Sequence, residues 1–234
     1  MNFKNSKKTL LLLFILVFPS AFYVYLVAGK EGSFVRLPYY GPKRPFVIMK
    51  NGKPKNDTVF YSVPDFIFIN QYSHAVATQL MRGRIWIGCF ENLKDTKVSP
   101  SEAILMNRIE SRTDLDTTLR LLTFALDSES VKDLADYANM VHAGKRQFFL
   151  ASDSGKMSAF AINAFYQPVD TSYKNGFIHF FLVDREGCIR GIYNGLHVKD
   201  IDVLIDNISM LEAAYSVKEN REKSKKGDGD DVAM

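Results

Sequence analysis

From Val59 to Val217 the apolar positions fall into short blocks that switch between strand-like alternation and helix-like spacing. "VPDFIFIN" alternates and predicts a strand, and "QYSHAVATQLMRG" predicts a turn, a short strand and a tight approach to the next element. "RIWIGCF" is continuously apolar, as a central strand covered on both faces must be. "SPSEAILMNRIESRT" opens with helix signals: Ser99 or Ser101 to cap, Pro100 for the first turn and the negative charge of Glu102. Ile104, Leu105 and Ile109 are its expected apolar stripe. "LRLLTFALD" then predicts a second buried strand, and "SESVKDLADYANMVHA" a capped helix with Val131, Leu134, Ala135 and Ala138 inward. "RQFFLAS" reads as a strand and "GKMSAFAINAF" as a helix. "GFIHFFLVDREG" and "CIRGIYNG" read as hairpin partners, and "VKDIDVLIDNISMLEAAYSV" as a closing helix. Such alternation, ending in an antiparallel hairpin, predicts an α/β domain with a mixed sheet and helices on both faces.

The flanks differ from this middle. Residues 9–29, "TLLLLFILVFPSAFYVYLVAG", are uncharged and almost wholly apolar. About 20 residues at 1.5 Å each match a hydrocarbon core of ~30 Å, so this is an expected transmembrane signal anchor. Lys4, Lys7 and Lys8 precede it and put residues 1–8 in the cytoplasm by the positive-inside rule. The rest is then extracytoplasmic, or periplasmic in a Gram-negative bacterium. A cleaved signal peptide is the rival, with "PSA" at its cleavage site, but the apolar run continues past Ala21 and favours the anchor. Residues 30–58, rich in Pro, Gly and Lys, read as a juxtamembrane linker in which "RPFVIM" adds at most an edge strand. The domain is expected over 59–217, and the charged, aperiodic tail 218–234 is expected to be disordered.

Composition adds exclusions. The chain has 234 residues and is 47% hydrophobic, enough for one sizeable core. Its net charge of +4 is scattered, without the clustered stripe a nucleic-acid partner would require. Two cysteines, Cys89 and Cys188, build neither a disulfide scaffold nor a zinc site, and two separate thiols are favoured over a bridge.

Several blocks together resemble one family. "VPDFIFINQ", "LMRGRIWIGCF", "LTFALDSESVKDLADYA" and "FFLVDREGCIRGIYNG" resemble, in order and spacing, the strands of the SCO/SenC proteins, membrane-tethered thioredoxin-like proteins of cytochrome oxidase assembly. The resemblance covers roughly Val59 to Leu211 and implies a thioredoxin-like fold. It also implies a C-x-x-x-C after the core strand and a His before the hairpin, a donor set suited to copper and to thiol exchange. Here "SP" at Ser99–Pro100 stands where the family closes that motif with "CP". The two cysteine positions then fall on Asp95 and Ser99, and the His position on Gly176. No metal or other cofactor is therefore expected, and no enzymatic activity. Asp127, His179 and Cys89 are the candidates for a residual site. A capping or strand-end role suits Asp127, and a core or edge role suits His179. His74, His142 and His197 make no spaced cluster. "GDGDD" at 227–231 resembles a calcium loop without its flanking helix or closing Glu.

Three functional readings result. The leading one is a membrane-anchored, non-catalytic interaction or assembly module with a protein partner in the membrane or periplasm. The second is a copper metallochaperone with non-standard ligands. The third is a thiol oxidoreductase using Cys89 or Cys188.

Overall fold

A computed structural model describes residues 14, 17–19, 22, 36–50, 52–94, 99–113, 119–126, 130–166 and 179–230. The chain divides into two units, Met1–Arg36 and Leu37–Met234. In the first, Phe14, Val17, Phe18, Pro19 and Phe22 have helical backbone. The rings of Phe14 and Phe18 stack at 5.3 Å, and those of Phe18 and Phe22 at 6.2 Å, as neighbours one helical turn apart do. Among the described residues no helix is long and apolar enough to cross a membrane. The expected span 9–29 lies mostly outside those residues.

The second unit begins with a hairpin, β1 (Arg44–Lys50) and β2 (Lys53–Val59), which forms a two-stranded antiparallel sheet of its own. Residues 44–50 and 53–58 of the expected linker are therefore folded, and residues 30–35 lie outside the described ones. The signal was Asn51-Gly52, the dipeptide that suits a two-residue hairpin turn, and Gly52 has φ +73°.

The remaining strands are β3 (Ile67–Asn70), β4 (Ala75–Ala77), β5 (Trp86–Glu91), β6 (Arg120–Ala125), β7 (Gln147–Ala151), β8 (His179–Val183) and β9 (Ile189–Asn194). They form one sheet in the order β4-β3-β7-β6-β5-β8-β9. β5, β6 and β7 run parallel, whereas β3, β4, β8 and β9 pair antiparallel. Parallel neighbours need crossovers. These are supplied by α2 (Ser99–Arg112) between β5 and β6 and by α3 (Val131–Met140) between β6 and β7. Ser130 caps α3 by accepting from the Lys132 N–H at 3.2 Å. The short α1 (Thr78–Met81) precedes β5, α4 (Ser154–Phe165) follows β7, and α5 (Val198–Asp230) closes the chain.

Strand alternation sorts the core into two layers. On one face Phe66, Phe68, Trp86, Phe90, Phe124 and Phe181 pack with Met157, Ala161 and Phe165 of α4. On the other, Ile87, Cys89, Leu121 and Leu182 pack with α2 and α5, and Leu134 and Tyr137 of α3 cover Ala125 and Phe149. Helices therefore lie on both faces of a mixed sheet.

Two further expectations change. In α2 the buried residues are Ala103, Leu105, Met106 and Ile109, while Ile104 is 67% exposed. At about 100° per residue Ile104 stands roughly 140° from Ile109, so one face cannot take both. In addition, α5 continues through residues 218–230, which were expected to be disordered. Arg185 holds Glu219 at 2.6 Å, and Lys218 stands 4.0 Å from Glu186. Residues 231–234 lie outside the described ones.

Candidate functional site

The place to look for chemistry is the carboxyl end of β5, an interior strand between β6 and β8, where it meets the turn into α2. All six residues of β5 are buried. Six-residue pairing with β6 on one side and pairing with β8 on the other fix which way each side chain points. Cys89 shares a face with Ile87, and the next residue on that face is Glu91.

Glu91 is only 3% exposed. Its Oε1 lies 3.9 Å from the Cys89 thiol, and its Oε2 lies 3.5 Å from the Tyr137 hydroxyl of α3. The Cys89 Sγ also lies 3.5 Å from the Thr123 hydroxyl of β6. Asn92, which follows Glu91 in the chain, has a buried Oδ1 with no hydrogen-bond partner. This is a carboxylate, a thiol and two hydroxyls gathered under the turn, with the thiol wholly buried. Such a group orders the strand end. It presents no accessible nucleophile. Sequence reasoning passed over Glu91, Thr123 and Tyr137. The available signal was a charged residue continuing an otherwise apolar strand, "RIWIGCFE".

The residues marked from the sequence do not assemble here. Asp95, Asp127 and Gly176 lie outside the described residues. Ser99 is the first residue of α2. His179 opens β8 and is partly buried, with its ring centroid 6.2 Å from that of Phe181. Burial lowers its pKa. Its register matters more. Gly88 pairs with Phe181, so Cys89 falls in the layer of Phe180 and Leu182, while His179 falls in that of Phe181 and Phe90. Cys89 and His179 thus lie on opposite faces of the sheet.

Cys188 is further away, in the turn between β8 and β9, beyond the other end of β8 from His179. Neither cysteine is in a disulfide. Burial, with the charges of Asp184 and Glu186, pushes the Cys188 thiol up to about 11. Cys188 belongs to a structural knot. Its N–H donates to Asp184 Oδ1 at 2.8 Å, and Asp184 Oδ2 pairs with Arg190 at 2.9 Å. Arg190 also donates to the carbonyls of Leu37 and Pro38 at 2.7 and 3.1 Å, and its guanidinium lies 3.9 Å from the Tyr39 ring centroid. The knot ties the entering segment to the β8–β9 hairpin.

A copper ion needs several soft or imidazole donors on one side of one cavity. The described donors do not provide this: Cys89 and His179 are separated by the sheet, and Cys188 lies at its far end. Among the described residues no group of three or more His, Cys, Asp or Glu side chains is placed to hold a metal ion.

No protein-family model matches the chain, and no curated protein matches it. Solved structures do. The chain is similar to BsSco, described as a member of the Sco family of cytochrome c oxidase assembly proteins, at 20% identity and a TM-score of 0.57; the match covers 65% of this chain and 94% of that one. It is similar to a SCO1/SenC family lipoprotein from Bacillus anthracis at 19% identity and a TM-score of 0.58, covering 65% and 95%. It is also similar to the soluble domain of Sco1 from Bacillus subtilis at 23% identity and a TM-score of 0.50, covering 64% and 91%. At these identities the likeness shows the fold. The chain has the thioredoxin-like mixed α/β fold of these Sco/SenC structures.

Proposed function

We propose that this chain is a membrane-anchored, Sco/SenC-like protein acting as a non-catalytic interaction or assembly module. Residues 9–29 are its anchor, residues 1–8 lie in the cytoplasm, and the folded domain stands outside it, next to a protein partner in the membrane or periplasm. The link to cytochrome oxidase assembly comes from what the similar structures are described as doing. The observation that supports the reading is the separation of donors: Cys89 in one layer, His179 in the other, and Cys188 at the opposite end of β8. Asp95, Ser99 and Gly176, at the positions the resemblance marks for ligands, supply one carboxylate, one hydroxyl and no side chain.

The test is titration of the full chain in detergent with Cu(I) and with Cu(II) against a competing chelator. The expected result is no binding tighter than the micromolar range. Submicromolar affinity that drops in Cys89→Ser or His179→Leu would overturn the reading and establish a copper carrier with non-standard ligands.

A further inference from the structure

The β1–β2 hairpin has a fixed base and bare faces. At the base, the Tyr40 N–H donates to the Ile189 carbonyl at 3.0 Å and the Val63 N–H to the Gly187 carbonyl at 2.9 Å. The rings of Tyr39 and Phe60 stack at 3.8 Å between these two anchor points. Beyond the base both strands are exposed, with Val47 at 61% and Met49 at 70%. Two strands alone are marginally stable in water, and contiguous exposed apolar residues mark a contact surface.

The pairing register divides the hairpin chemically. Pro45, Val47 and Met49 share one face with Pro54, Asn56 and Thr58, and that face carries no charge. The opposite face mixes Arg44, Lys50, Lys53, Lys55 and the single acid Asp57 with the apolar Phe46, Ile48 and Val59. Lys43 adjoins the base, 6.0 Å from the Phe60 ring. An uncharged apolar face, backed by a second face whose long cationic side chains extend past its own apolar residues, suits an anionic bilayer surface, where lysines reach round to phosphates. A protein partner fits less well, because lysine is depleted from protein interfaces.

We infer that β1–β2 is a membrane-contacting finger. Its Pro45–Val47–Met49 face enters the boundary between headgroups and acyl chains, and Arg44, Lys53 and Lys55 meet the phosphates of anionic lipids. The inference rests on the anchored reading above. Under that reading the apolar run ends at Gly29, and the residues from there to Arg44 reach at most about 50 Å when fully extended.

The experiment uses the full chain reconstituted into vesicles of phosphatidylcholine with or without phosphatidylglycerol. Single environment-sensitive fluorophores are attached at Val47→Cys or at Leu16→Cys, with the unsubstituted chain as the blank for its two buried thiols. Quenching by spin-labelled lipid reports contact with the bilayer. The expected result is quenching at position 47 several-fold stronger with phosphatidylglycerol than without it. That difference is lost in K53E/K55E and, for the unreversed hairpin, in high salt. Quenching at position 16 is expected in both vesicles and in every variant. A label at 47 that stays unquenched with phosphatidylglycerol overturns the inference and leaves the finger to a protein partner. A label at 16 that stays unquenched overturns the anchored reading, and the finger is then judged on position 47 alone.

Discussion

At the scale of single residues, the two thiols differ from catalytic cysteines in opposite ways. Cys89 is inaccessible, and Cys188 is held at about 11 by burial and neighbouring carboxylates. At neutral pH the Cys188 thiolate fraction is below roughly one in a thousand, and the thiolate is the reactive form. Iodoacetamide at neutral pH is therefore expected to leave both cysteines of the native chain unmodified and to label both in denaturant, as read by intact mass. Fast native labelling of either would revive the thiol-oxidoreductase reading. His179 sets a pH dependence of definite sign. Its folded pKa is lowered from 6.5 by burial, so below that pH the unfolded chain binds more protons than the folded one. The contribution is constant above pH 6.5 and stability is lost as the pH falls through the window beneath it. His179→Leu is expected to flatten the dependence of the urea midpoint between neutral pH and mildly acidic pH, and an unchanged slope would assign the loss to other groups.

At the scale of elements, what matters is how segments are tied together. The Asp184–Arg190 pair is almost wholly buried, and its guanidinium holds the backbone of Leu37 and Pro38. Replacing one partner leaves the other as an uncompensated buried charge. Arg190→Met is therefore expected to cost about 3–5 kcal/mol in urea unfolding. The double variant D184N/R190M removes both charges, while the amide oxygen introduced at position 184 still accepts from the Cys188 N–H, so it is expected to recover part of that loss. Hydrogen exchange adds a local reading: the Tyr40 amide, bonded to Ile189, is expected to lose protection in Arg190→Met before β5 and β6 do. Equal loss everywhere would mean the entering segment is not a separable element.

At the scale of the whole molecule, α5 has two parts with different support. Ile201, Leu204, Ile208 and Leu211 are buried against the sheet, whereas beyond Val217 the described contacts are exposed ion pairs to the β8–β9 turn. Exposed pairs contribute up to about 1 kcal/mol each. Ending the chain after Val217 is thus expected to remove helical dichroism yet lower Tm by no more than about 8 °C. A larger drop would show that the distal helix is part of the folding unit.

Apart from the short α1 (Thr78–Met81), which it did not indicate, the sequence by itself determined the strand and helix succession from Ile67 to Leu211, because period-two and helical spacing of apolar residues follow directly from backbone geometry. It also carried the likeness to Sco/SenC structures, through the order of blocks such as "RIWIGCF" and "FFLVDREGCIRGIYNG". It carried the hairpin too, in Asn51-Gly52, although proline and lysine on both sides resemble a linker. Other features depended on neighbours distant in the chain. Whether Ile104 or Met106 turns inward was decided by which face of α2 meets the sheet. That Glu91 lies buried against Tyr137 was decided by where the β6–β7 crossover sets α3 on the sheet. Likewise, Cys89 and His179 are separated by the register of β5 against β8, and a shift of one residue would have put both on one face. Local spacing defines what each segment is, and only the pairing of distant segments defines what each side chain meets.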